Sequence, residues 1–321
     1  MLLAITAVIL GFVLLIWGAD RFVHGAAGIA ATLGVSPIII GLTIVGFGTS
    51  APEMLISGFA AWQGNPGLAI GNAIGSNITN IALVIGATAL VSPLAVQSQT
   101  LRREFPLLVA VQVGVLVFLL NGTLTRLDSF ILLAALAVFM GWTVYVAHKA
   151  RRNDPLRVEM EHELVPTMRL GTAVLWFLVG LGILLFSSRI LVWGAVTIAK
   201  AFGISDLIIG LTIIAIGTSL PELASSIVSA RRGEADLAIG NIIGSNIFNV
   251  LGVLPIAGVI HPILLPSEVL TRDYPIMLAL TLAFVLMGVG LRGGRGRITR
   301  LEGAILLACF VGYEVLIYLS L

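Results

Sequence analysis

Charge is what this sequence has least of. Asp, Glu, Lys and Arg make up 11% of its 321 residues and hydrophobic residues 58%, against about 25% and 45–50% in soluble domains. So few charges cannot cover a water-facing surface. That excludes a soluble globular protein and points to an integral membrane protein. The formal net charge is only +2 and the arginines cluster in loops, which leaves no surface for nucleic acid. Cysteine is nearly absent. Cys309 stands alone, so no internal disulfide can form. The four histidines, His24, His148, His162 and His261, share no ligand spacing and read as structural or solvated. No nucleophile–base pair or catalytic metal spacing is visible, so a membrane enzyme is the least favoured class, and no cofactor is expected. The N-terminal apolar run has no basic flank and no clear small-residue cleavage site, and it reads as a retained span.

What is there instead is a series of apolar runs, each near the roughly 20 residues a bilayer crossing needs. Ten are expected, at about 2–30, 36–61, 68–92, 104–121, 127–148, 170–199, 206–230, 237–260, 273–291 and 301–320. The first and sixth are too long for a simple crossing and are expected to tilt or to run along the interface. The sizeable polar segment, His148 to Arg169, divides the chain into a first half (1–149), a linker loop (150–169) and a second half (170–321). With the N-terminus placed outside, inside loops hold thirteen Lys and Arg and outside loops three, and Arg21 and Arg189 lie within spans. The positive-inside bias places both termini outside.

The halves are copies. Shifted by 169 residues, "SPIIIGLTIVGFGTSAPE" falls on "SDLIIGLTIIAIGTSLPE", and "LAIGNAIGSNITN" falls on "LAIGNIIGSNIFN". From Ser36 to Ala60 against Ser205 to Ser229, 13 of 25 positions are identical. Equivalent points are separated by five spans, an odd number, so the second half is inverted. The expected fold is all-α: ten transmembrane helices as two inverted five-helix repeats. Gly/Pro-interrupted spans at matching positions are the mark of a secondary transporter with a site near the midplane.

Glu53 and Glu222 are equivalent, and each lies in the middle of an apolar run. An ionised carboxylate there costs about 2.5–3.5 kcal/mol or more unless paired. No Lys or Arg lies in spans two, three, seven or eight, so a bound cation is the natural partner. Thr49 shares a helix face with Glu53, and Thr218 with Glu222. Pro52 and Pro221 lack an N–H, which frees the carbonyls of Gly48 and Gly217. Freed carbonyls at membrane depth are tolerated where they line a cavity. Asn72, Ser76 and Asn80 form one polar stripe, and Asn241, Ser245 and Asn249 form its copy. Gly71 with Gly75, and Gly240 with Gly244, give small faces that permit close helix approach. Oxygen donors in this number suit Ca²⁺ or Na⁺ rather than zinc or copper. Asp20, Arg21 and Arg189 raise the further expectation of an ion pair between spans one and six.

At these motifs, "GTSAPE" with "GNAIGSNITN" and "GTSLPE" with "GNIIGSNIFN", the chain resembles the cation/calcium exchanger superfamily, the sodium/calcium antiporters. The likeness runs the whole length and is greatest to compact bacterial inner-membrane members. It implies that Glu53 and Glu222 bind the transported ions. It implies that Thr49, Ser50, Thr218 and Ser219 line the site, completed by Ser76, Asn80, Ser245 and Asn249. It also implies alternating access, with spans one and six sliding across the rest. Potassium-dependent members carry Asp where this chain has Asn249, so exchange without K⁺ is expected.

The reading is an antiporter that exchanges Na⁺ for Ca²⁺ in the lipid bilayer, with those ions as its ligands. A proton-coupled Ca²⁺ antiporter is the alternative, although the "GSN" pattern argues against it. A cation channel is less favoured.

Overall fold

The computed structural model describes residues 1–64, 66–96, 101–152, 168–202, 215–289 and 296–319. With no water in a bilayer core to bond backbone N–H and C=O groups, helix is the economical solution for an apolar chain. In chain order the described helices are α1 (Leu2–Leu33), α2 (Pro37–Trp62), α3 (Gly67–Val91), α4 (Leu101–Leu119), α5 (Arg126–Arg152) and α6 (Leu170–Ala201). There follow α7 (Ala215–Thr218), α8 (Leu220–Arg231), α9 (Ala235–Ile260), α10 (Tyr274–Val289) and α11 (Arg300–Leu319).

Among the described residues, 8 helices are long and apolar enough to cross a membrane. They match the expected spans to within a few residues. The expected spans 104–121 and 206–230 are not among them. The first coincides with α4, and residues 206–214 of the second lie outside the described residues. Most of the expected linker, residues 153–167 with His162, also lies outside them.

The bundle is built around α9. Its apolar window is 89% buried, against 22% for α5 and for α11. The outer helices instead expose Leu127, Phe130 and Val138, and Leu301, Ile305 and Val311, the side chains that suit a lipid-facing surface.

Helices α1 and α6 are each 32 residues long, or about 48 Å at 1.5 Å per residue, which exceeds a hydrocarbon core of about 30 Å. They pack on one another antiparallel, Gly11 beside Leu191 and Gly25 beside Phe177. Small residues allow this. A Cβ on Gly25 would lie 2.3 Å from the Phe177 nitrogen, and one on Gly180 would lie 2.3 Å from the Phe22 nitrogen. Phe22 and Phe177 then stack at 4.8 Å between ring centroids.

The expected ion pair between these two helices is not formed. Asp20 pairs instead with Arg232, just past the end of α8, and Arg232 also reaches His24 Nδ1 at 3.3 Å. Arg21 lies over the rings of Trp17 and Trp176, and Arg189 is exposed. The sequence offered Arg189 because the duplication aligns it with Asp20, but alignment in a repeat does not require contact.

Two short antiparallel ribbons tie the halves together. In one, β1 (Leu94–Ala95) pairs with β4 (Arg297–Ile298). In the other, β2 (Thr123–Leu124) pairs with β3 (Ile263–Leu264). Each leads into a capped helix. Thr125 and Asp128 exchange backbone–side-chain bonds at the start of α5, and Thr299 and Glu302 do so at the start of α11. These capping boxes satisfy amides that a helix start leaves unpaired.

Candidate cation-binding site

Four π-helical turns are described: within α2 at Gly41–Val45, within α3 at Asn80–Ile85, within α9 at Asn249–Val253, and just ahead of α10 at Val269–Asp273. Such turns loosen the regular ladder and recur at functional sites. Those of α3 and α9 both begin at a predicted ligand asparagine.

The duplicated G-T-S-x-P-E segment takes two different forms. In the first copy α2 continues through Pro52. In the second, α7 stops at Thr218, Ser219 sits at φ −91° and ψ 6°, and Pro221 opens α8. Proline is well suited to a first helical turn, where its missing N–H is not needed. The Gly217 carbonyl that Pro221 frees accepts a hydrogen bond from Ser188 Oγ at 3.0 Å. Ser188 was not foreseen. Its counterpart in the first half is Ala19, so the duplication gave no signal for it.

Backbone contact brings the halves together at the site. A Cβ on Gly240 would lie 2.5 Å from the Ile38 carbonyl oxygen, and one on Gly244 would lie 2.4 Å from that of Leu42. The expected close approach is thus made by Gly240 and Gly244 of α9 against α2, whereas a Cβ on Gly71 or Gly75 would meet nothing within 4 Å. It carries Ser245 to Thr49. Thr49 Oγ1 lies 3.2 Å from Ser245 Oγ and 3.1 Å from Asn241 Oδ1, and Ser245 Oγ donates to Glu222 Oε1 at 3.4 Å. Glu53 lies one turn along from Thr49. Both carboxylates are 1% exposed.

The sequence-derived residues lie in the interior. Glu53, Glu222, Thr49, Ser50, Ser219, Ser76, Asn80, Ser245 and Asn249 are all buried. Gly48 and Gly217 are buried beside them, and Thr218 is partly so. Asn72 and Asn241 brace the carboxylate helices. Asn72 Nδ2 donates to Ser57 Oγ at 2.9 Å and to the Glu53 carbonyl at 3.2 Å, and Asn241 Nδ2 donates to Ser225 Oγ at 3.0 Å.

Six buried oxygens at this point have no hydrogen-bond partner among the described residues. They are Ser50 Oγ, Glu53 Oε2 and Asn80 Oδ1, and their counterparts Ser219 Oγ, Glu222 Oε2 and Asn249 Oδ1. An unsatisfied buried polar atom costs about 1–3 kcal/mol, more when charged. The six occupy equivalent positions of the two repeats.

Sequence reasoning missed Asn77, whose Oδ1 accepts from Asn249 Nδ2 at 3.0 Å. A signal existed. Asn77 and Asn246 both belong to the duplicated "GSN", one step off the polar stripe.

Comparison with known proteins agrees with this arrangement. Residues 3–145 and 172–319 match the family described as "Sodium/calcium exchanger protein". The chain is 53% identical over 320 residues, 100% of both chains, to the candidate antiporter CaxA of Alkalimonas amylolytica. It is 43% identical over 289 residues, 89% of both chains, to the inner membrane protein YrbG of Escherichia coli. Among solved structures it is similar to the sodium-calcium exchanger NCX_Mj soaked with Na⁺ and Ca²⁺, with a TM-score of 0.82, 32% identity and 97% of each chain covered. A multi-pass membrane chain that carries this family's match along almost its whole length, with both copies of its acidic motif buried side by side, belongs to the sodium/calcium exchanger family of antiporters.

Proposed function

We propose that this protein exchanges Na⁺ for Ca²⁺ by alternating access, without K⁺, at one site formed by Glu53, Glu222, Thr49, Ser50, Thr218, Ser219, Ser76, Asn80, Ser245, Asn249 and the carbonyls of Gly48 and Gly217. The observation that carries the reading is the set of six unpartnered oxygens, two of them carboxylate, supplied in equal number by the two repeats. Hard oxygen ligands of this kind match Ca²⁺, which takes 6–8 of them. Two carboxylates neutralise one Ca²⁺ and also attract Na⁺. The ions then compete for the same oxygens, and competition couples their movement without covalent chemistry. Asn249 supplies a neutral amide where the family resemblance implies a carboxylate in K⁺-dependent members, which supports K⁺ independence.

The architecture proposed for this work is ten crossings in two inverted repeats, residues 1–149 and 170–321, joined by a cytoplasmic linker. The duplication, the antiparallel packing of α1 on α6 and the exchange-related ribbons support it. Both termini lie on the outer side of a bacterial inner membrane, as the loop arginines favour.

The test is uptake of radiolabelled Ca²⁺ into proteoliposomes loaded with Na⁺. An outward Na⁺ gradient should drive uptake, and replacing K⁺ with choline should leave the rate unchanged. Uptake that follows a pH gradient and ignores Na⁺ would move the reading to proton coupling. Uptake indifferent to every gradient would defeat exchange altogether.

A further inference from the structure

The duplication makes two pairs of amides equivalent: Asn77 with Asn249, and Asn246 with Asn80. In each pair one member is a proposed ion ligand and the other stands behind it on the opposite repeat. The structure treats the pairs differently. Asn249 Nδ2 donates to Asn77 Oδ1 at 3.0 Å, and Asn77 Nδ2 lies 3.3 Å from the Asn246 carbonyl oxygen and 3.4 Å from Met277 Sδ. Asn77 is therefore fully engaged. In the counterpart pair neither polar atom of Asn80 and neither of Asn246 has a partner among the described residues, although Asn80 is 1% and Asn246 0% exposed.

The residue types do not explain the difference, since both motifs read G-S-N with Asn three residues on. Four unsatisfied buried atoms are costly, and a local cost of this sort clusters at sites that switch. In an inverted-repeat protein the two access states arise when the halves exchange conformations. Each ligand asparagine also opens a π-helical turn, a place where a helix can shift register.

We propose that Asn77 and Asn246 are positioning residues for the ion site, engaged one at a time. Asn77 orients Asn249 in the state described, and Asn246 takes hold of Asn80 in the opposite state as the first bond opens. Each bond turns its ligand's carbonyl oxygen toward the ion and biases which face of the protein is open. This rests on the exchange function proposed above.

The experiment measures Na⁺-driven uptake of radiolabelled Ca²⁺ at each face separately, in right-side-out and inside-out vesicles. Asn77→Ala should weaken apparent Ca²⁺ affinity at one face and strengthen it at the other, changing their ratio by roughly fivefold, the value of one neutral hydrogen bond. Asn246→Ala should shift the ratio the opposite way, and the double variant should return it to the wild-type value. A merely structural role would not give opposite signs with mutual rescue. Asn77→Ser and Asn246→Ser carry the same test if the alanine variants fold poorly. If the wild type exchanges but the variants move the ratio in one direction or not at all, the positioning role is wrong and exchange stands. If the wild type shows no Na⁺-driven uptake, the exchange function falls and this role falls with it.

Discussion

Glu53→Gln and Glu222→Gln each remove one of two negative charges from the proposed site, whose other oxygens are neutral. A contact to a charged group is worth about 1.5–3 kcal/mol, so each variant should lose more than about tenfold in Ca²⁺ flux. The protein should still elute as a folded species, because a buried carboxylate without its ion is a cost that the amide relieves. The measurement is flux in proteoliposomes against elution in detergent, and substantial flux in both variants would deny these residues their role. Asn249→Asp adds a third carboxylate and removes the donor that Asn249 gives to Asn77. Its Na⁺, K⁺ and pH profiles should change, with added sensitivity to K⁺ or to acid. Unchanged profiles would show that position 249 does not tune coupling. At this scale the sequence was informative wherever it repeated itself. Glu53 and Glu222, and Asn80 and Asn249, stood out because each polar residue had a partner in the other half. Ser188 had only Ala19, and so gave no sign. Asn77 was duplicated, but spacing gave no sign that Asn249 would donate to it.

Elements were legible by hydropathy and illegible in their details. Every described span longer than a bilayer crossing falls where the apolar runs lie, because a membrane leaves a chain little choice but helix. Interruptions within helices were another matter. The π-helical turns at Asn80 and Asn249 and the break at Ser219 depend on what packs beside them. No local pattern declares such a contact. The unexpected bond from Arg232 to Asp20 has the same origin, since it joins elements far apart in the chain. The glycine contacts are the part of the packing most open to test. Gly25→Val would press a branched side chain onto the Phe177 backbone, where a single Cβ already lies at 2.3 Å. Overpacking of this kind costs about 1–3 kcal/mol. The variant should therefore unfold at lower temperature in detergent and exchange more slowly. Gly182→Val, with open space around its Cβ, should do neither, and a loss as large as that of Gly25→Val would disconnect the effect from the helix crossing.

The whole molecule is held together by contacts that run between its halves. The ribbon of β1 with β4 joins the end of α3 to the start of α11, and that of β2 with β3 joins the start of α5 to the end of α9. At both places an arginine reinforces the seam. Arg300 Nε donates to the Leu90 carbonyl at 3.1 Å, and Arg126 Nη2 donates to that of Ile260 at 3.3 Å. The fit of α2 into α9 and of α1 onto α6 adds to these. The covalent thread through the linker is thus the least of what unites them. Made as two separate polypeptides, 1–152 and 168–321, the protein should reassemble in one membrane. Affinity capture of one piece should bring down the other in near-equal amount, and the pair should carry Ca²⁺ where neither does alone. A gene cut in two there would still encode one transporter, much as a duplication once joined two.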